Sequence, residues 1–164
     1  YIKGQGSMLI KMLSLIPMVN AAGSEVDQGA MMRYLNEMTW FPAAFLGGNV
    51  TWKAIDDRSA EVTLTDGGKS VSAVMSFDPE GKPLNFVAKR YRMIGKGFDL
   101  ETWSTPFTGY GEFEGLKLPV RGQGVWTIHN GLKNRIFYFT HQRPRRNMQS
   151  FHNDISIDGQ FKLP

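Results

Sequence analysis

Two hydrophobic periods divide the chain. Met31, Leu35, Met38 and Phe45 recur at helical spacing, and beyond about residue 50 apolar and polar positions alternate with a period of two. The stretch "SEVD", Ser24 to Asp27, reads as a helix start. The Ser24 hydroxyl can accept an orphan backbone N–H while Asp27 reaches back, with Glu25 and Asp27 at the positive end of the helix dipole. Arg33 and Glu37 stand four apart and can pair on the outer face. Pro42 has no N–H for the ladder, so the pattern predicts a main helix over about 24–40, a short second turn over "PAAF", and an end at Gly47 and Gly48.

After the glycines, "SAEVTLT" sets Ala60, Val62 and Leu64 on one face against Glu61, Thr63 and Thr65. "SVSAVMSF" sets Val71, Ala73, Met75 and Phe77 against Ser70, Ser72 and Ser76. These are half-buried antiparallel strands, separated by "DGGK" at 66–69 and "DPEGK" at 78–82, with "NG" at 130–131 later in the chain. Further strands are expected near 50–56, 84–93, 98–104, 109–115, 120–128 and 133–141. A meander of strands interrupted by one helix is an α+β pattern.

The apolar run from Met8 to Val19 breaks this alternation. Read as one strand, it points Leu9, Leu13, Leu15 and Val19 one way and Met8, Ile10, Met12, Ile16 and Met18 the other, so both faces need cover. The helix can supply one cover. A central position in a filled core, a preceding segment, a partner or an apolar ligand can supply the other. The start at Tyr1, directly before this run and without a Met, suggests a fragment or processed form.

Composition narrows the choices. The 164 residues suit one domain with a real core, 1–142, followed by a basic variable tail, 143–164, that carries Arg143, Arg145 and Arg146. The net charge of +4 arises from 19 basic and 15 acidic residues, and nothing before the tail resembles a nucleic-acid footprint. No run approaches the roughly 18 apolar residues of a membrane span, since Lys11 and Pro17 interrupt the greasiest stretch. The lack of cysteine removes disulfides and thiolate chemistry and leaves the compartment open.

Catalytic signals are missing. His129, His141 and His152 are scattered, without metal-ligand spacing, and no nucleophile elbow or phosphate loop occurs; no cofactor or metal is implied. Asp56 with Asp57 and Glu112 with Glu114 are acid pairs that suit solvated strand ends better than acid/base work. In "VAKRYRM", Arg90 and Arg92 continue the apolar stripe of Leu84, Phe86 and Ala88. They call for a carboxylate, with Glu37 the internal candidate and an anionic headgroup the external one. Around "WSTPFTGYGEFEGLKLPVRGQGVW", Pro106, Gly109, Gly111 and Gly115 suggest tight turns, while five aromatics fill a core or line a cavity.

"GQGSMLIKMLSLIPMV", "RYLNEMTWFPAAFL" with "TWKAIDDRSAEVTL" and "FDPEG", and the aromatic segment together resemble an uncharacterised bacterial family, a domain of unknown function, from about Gly4 to Phe139. That family supplies no catalytic residues to carry over. The order of strand, helix and meander also looks like the half-barrel of lipoprotein carriers (LolA-like), which implies a curved antiparallel sheet with the helix packed on its concave face and admits a cell-envelope location.

The expectation is therefore a non-enzymatic domain that binds a hydrophobic, lipid-like ligand between helix and curved sheet. Its lining would be Leu35, Met38, Trp40, Phe41 and Phe45 from the helix region and Leu13, Leu15, Met75, Phe77 and Trp126 from the sheet, with Arg90 and Arg92 at the headgroup. The alternative is a structural or interaction domain with a filled core, covered by another segment or by a second copy in a homodimer. An enzyme that uses a carboxylate in the pocket is a third reading.

Overall fold

The structure, a computed structural model, describes residues 5–12, 16–128 and 133–140. Strands β1 (Ser7–Met12) and β2 (Ile16–Ala22) form an antiparallel hairpin, followed by helix α1 (Ser24–Glu37) and two 3₁₀ turns, Met38–Trp40 and Pro42–Leu46. Seven strands complete the order: β3 (Val50–Asp56), β4 (Ser59–Asp66), β5 (Lys69–Phe77), β6 (Pro83–Ile94), β7 (Gly97–Phe113), β8 (Leu116–Thr127) and β9 (Lys133–Thr140). They lie in one open antiparallel sheet in chain order, each beside its sequence neighbour. The fold is α+β, a curved antiparallel sheet carrying one helix, as the alternating periods require.

Several local expectations are corrected. Met8 to Val19 is not one strand, because Ile10 pairs with Val19 and Met12 with Ile16 across the hairpin. Leu13 and Leu15 lie outside the described residues, as do the three histidines, the "NG" pair and the basic tail. The α-helix stops at Glu37, not near 40, and tightens into the 3₁₀ turn that carries Trp40. Its N-cap is Gly23, whose carbonyl accepts the Asp27 N–H at 2.9 Å, while Ser24 is already helical and donates to the Glu25 carboxylate at 2.9 Å.

Asp27 does not reach back to Ser24 because it has stronger partners elsewhere. It accepts the Gly6 N–H at 2.6 Å and the Lys69 ammonium at 2.5 Å, which ties the helix start to β5 and to the residue before β1. These contacts, the Lys69 hydrogen bond first and the Gly6 N–H second, hold its carboxyl below the ordinary range. Gly6 is required by packing. A Cβ there would stand 2.8 Å from both Ala30 Cβ and the Val26 carbonyl oxygen.

The expected strands 98–104 and 109–115 are one strand of 17 residues. Pro106 lies inside it, paired with Asn85 of β6, and the β8 ladder steps from Ser104–Val125 to Phe107–Gly122 around the missing proline donor. Gly109 marks a bulge in that ladder instead of a turn. The reversal comes at Glu114 and Gly115, both at positive φ, just as Gly67 and Gly68 turn β4 into β5. On the convex face the polar half of the alternation forms hydroxyl pairs, Thr63 with Ser72 and Thr65 with Ser70.

The other half of the alternation meets the helix. Met31, Met32, Leu35 and Met38 are buried against Val62, Leu64, Met75, Phe86, Trp103 and Trp126. At roughly 1.5–3 kcal/mol per fully buried large side chain, this layer is the main fastening of helix to sheet. One polar clamp crosses it. Asn36 Nδ2 donates to Thr105 Oγ1 at 2.7 Å, and Trp103 Nε1 donates to the same oxygen at 3.0 Å.

Candidate ligand-binding site

The space between α1 and the central strands is filled, and the open volume lies past the helix end. Pro42, without an N–H, breaks the ladder after Trp40, and Trp40 pins the helix end to the sheet. Its Nε1 donates to the Pro119 carbonyl of β8 at 2.9 Å, and its ring meets Phe107 edge-on with 6.3 Å between centroids. The chain beyond stands off the sheet and leaves a cleft of about 480 Å³.

One wall is the pair of 3₁₀ turns, through Thr39, Pro42 and Phe45; the floor is Met75 and Phe77 of β5 with Trp52 of β3. The turn between β5 and β6 adds Gly81 and Pro83, and the β7–β8 hairpin adds Leu116, Lys117, Leu118 and Pro119. Phe45, Trp52 and Phe77 form a row, with centroids 5.3 Å and then 6.4 Å apart. The Phe45–Trp52 contact is edge-to-face, the geometry that aromatic quadrupoles favour.

The Gly81–Pro83 wall is braced from outside. Asp78 accepts the N–H groups of Glu80 and Lys82 and pairs with the Lys82 ammonium at 2.8 Å, while that ammonium lies 5.5 Å from the Tyr110 ring centre. The Tyr110 hydroxyl donates to the Pro83 carbonyl. The Lys82 hydrogen bond holds the Asp78 carboxyl low, and the same bond holds the Lys82 ammonium high. Burial, and after it the Asp78 charge, raises the Tyr110 phenol. The "FDPEG" segment is thus a rigid corner of the cleft.

The lining contains no carboxylate or histidine among the described residues. Its charged member is Lys117, exposed at the rim and opposite Glu112 in the β7–β8 register, without an ion pair within 4 Å among the described residues. The residues lining this cleft can solvate hydrocarbon and meet an anion at the mouth. They offer no acid/base pair.

The expected site residues divide into groups. Phe45, Met75 and Phe77 meet in the cleft. Leu35, Met38 and Trp126 lie in the filled core, and Trp40 is the tie between helix end and β8. Phe41 points to solvent, 59% exposed. Arg90 lies elsewhere, with its guanidinium 5.1 Å from the Trp103 ring and 5.8 Å from the Trp126 ring. Burial first, and Arg33 second, lower its pKa to about 10, partly offset by Glu37. Glu37 is not its salt-bridge partner, since that carboxylate bonds Arg33 Nε at 2.7 Å. Arg92 is half-buried and outside the cleft lining.

The acid pairs sit at strand ends: Asp56 caps the β3–β4 turn by accepting the Arg58 N–H at 2.8 Å, and Glu112 and Glu114 are exposed. The Arg58 N–H, then the Ser59 hydroxyl, hold the Asp56 carboxyl low.

A family model described as "Family of unknown function (DUF6544)" matches residues 1–139. The chain belongs to the DUF6544 family. No curated protein and no solved structure matches it. In this DUF6544 chain no described helix is long and apolar enough to cross a membrane, and the described residues hold no cluster of three metal-ligating side chains.

Sequence reading missed Thr39, Trp52, Pro83 and the Leu116–Pro119 wall. Trp52 carried a usable signal, because it alternates with Val50 and Ala54 and pairs with Val62 on the helix-facing side of the sheet. The Leu116–Pro119 wall carried none. Its position depends on β7 running unbroken through Pro106 and Gly109, which the sequence suggests as turns.

Proposed function

We propose that this domain is a non-enzymatic binder of a hydrophobic, lipid-like ligand, held in the cleft at the end of α1. The supporting observation is the apolar volume of about 480 Å³ with the Phe45, Trp52 and Phe77 row running from its wall to its floor and Lys117 at its rim. Sites for small ligands fall in this size range and are lined in this way. Each methylene buried there contributes about 0.8 kcal/mol, so the roughly ten methylenes of a medium-length acyl chain contribute about 8 kcal/mol against an association cost of about 4–15 kcal/mol, without any specific chemistry. Lys117 replaces Arg90 and Arg92 as the headgroup residue in this reading, because an exposed ammonium can meet an anion without desolvating it fully.

The test is native mass spectrometry of gently purified protein, together with calorimetric titration of laurate. Co-purified lipid and saturable laurate binding that weakens about tenfold in Trp52→Ala support the proposal. Empty protein that takes up no laurate would sink it. The filled layer between α1 and the sheet favours one second reading, an interaction domain that works through its surface, a homodimer included. Sedimentation equilibrium reads that alternative directly, as a concentration-dependent mass in protein that binds no lipid.

A further inference from the structure

Arg90 is a largely buried charge that the cleft does not use. Its guanidinium lies over the Trp103 and Trp126 rings and makes no hydrogen bond or ion pair among the described residues. Neither nearby carboxylate serves it. Glu37 bonds Arg33 Nε at 2.7 Å, and Glu101, opposite Arg90 in the β6–β7 register, is itself buried and forms no ion pair with it within 4 Å. The charge felt most strongly at Arg90 is instead a second arginine, Arg33, whose effect outweighs that of Glu37.

The helix brings the two arginines together. Gly29, Arg33 and Glu37 follow at four-residue steps along one face of α1, and a Cβ on Gly29 would stand 3.8 Å from Arg90 Nε, so Arg33 lies one turn beyond the point where the helix crosses Arg90. Nε is the guanidinium nitrogen sealed from solvent. The side chain is nonetheless half-buried and rooted in the middle of the sheet, which leaves its Nη1 and Nη2 end as the part that solvent reaches, beside the exposed Arg33. The indole faces return part of the burial cost but accept no hydrogen bond in the plane of the fork. What is left is a patch of uncompensated positive potential with donors pointing into it.

We infer that Arg90, with Arg33 beside it, is a binding site for a phosphate group, either the free ion or a phosphate monoester. An arginine fork holds a phosphate through two parallel N–H···O bonds, and a dianion answers two guanidiniums where a carboxylate answers one. The site lies outside the cleft and does not rest on it.

The experiment titrates the intact protein at about pH 8, where phosphate and its monoesters are dianions, with inorganic phosphate, glycerol 3-phosphate and acetate at constant ionic strength. Tryptophan fluorescence and binding heat are both followed. Phosphate should give a saturable response and bind about tenfold more tightly than acetate. Arg90→Met keeps an apolar side chain over the tryptophans and should abolish the phosphate response. Arg90→Lys, which keeps the charge and loses the fork, should bind phosphate about tenfold more weakly and guards against a methionine variant that folds poorly. Arg33→Gln should narrow the preference for phosphate over acetate. Tighter binding of glycerol 3-phosphate than of phosphate assigns the site to esters, and the reverse order assigns it to the free ion. No saturable phosphate response, acetate bound as tightly as phosphate, a response that survives Arg90→Met, or a preference unchanged in Arg33→Gln overturns the inference. None of these outcomes depends on whether laurate enters the cleft.

Discussion

Thr105→Val changes one atom type at the hinge between helix and sheet, and its cost can be worked from the contacts. Thr105 is 1% exposed, and its hydroxyl accepts Asn36 Nδ2 at 2.7 Å and Trp103 Nε1 at 3.0 Å. Valine keeps the shape, so no cavity opens. Asn36 Oδ1 has no partner among the described residues, so Thr105→Val leaves that amide with neither of its polar ends satisfied by a side chain. At roughly 1–3 kcal/mol for a buried group stripped of its partner, the Asn36 amide sets the expected loss at about 1–3 kcal/mol. For a domain of this length that lowers Tm by roughly 2–12 °C.

Urea unfolding monitored by tryptophan fluorescence measures the loss. Asn36→Leu combined with Thr105→Val should be less destabilised than the two single variants added together, by about 1–2 kcal/mol, because replacing both partners removes the penalty that each single variant creates. A Thr105→Val midpoint within experimental error of wild type would refute this account. It would mean that the Asn36 amide has another partner and that the clamp does not hold the last helical turn on the sheet.

Trp40→Phe keeps a ring against Phe107 and removes the donor to Pro119, so it should cost about 1–2 kcal/mol in urea unfolding and raise hydrogen exchange in the 3₁₀ turns. Gly6→Ala should destabilise by about 1–3 kcal/mol, since the new methyl would stand 2.8 Å from the Val26 carbonyl and from Ala30 Cβ; a neutral result in thermal unfolding would remove the close contact. Asp27 has a folded pKa below its unfolded value. Its contribution is therefore complete above about pH 4 and is lost as pH falls through the depressed folded value. Asp27→Asn should flatten the acid limb of the stability–pH curve there and leave its shape unchanged near neutrality.

Arg90 has the opposite sense of coupling. Burial favours its neutral form, so the charged guanidinium costs stability at every pH below about 10, and the two tryptophan faces return part of that cost. An arginine on an apolar stripe reads from sequence as a charge in search of a carboxylate. Here the tryptophans meet it instead, and Trp103 and Trp126, far apart in the chain, are set opposite each other by the register of the β7–β8 hairpin.

The features legible from the residues alone are local and periodic. The helical stripe of Met31, Leu35 and Met38, the alternation through Ala60–Leu64 and Val71–Phe77, and the glycine turns specify elements because each depends on neighbours a few residues away. Short turns then lay the strands down as an antiparallel meander in chain order. Where space is left over is settled only by packing between distant segments. Whether Pro106 and Gly109 end a strand or bend one depends on the ladders on either side, and whether Asp27 caps its helix depends on Lys69, which is 42 residues away. The cleft is a difference between long-range positions: the 3₁₀ turns pinned by Trp40, the edge strand bearing Trp52, and the β7–β8 hairpin. A void is made by what does not touch, and no local pattern of residues encodes that.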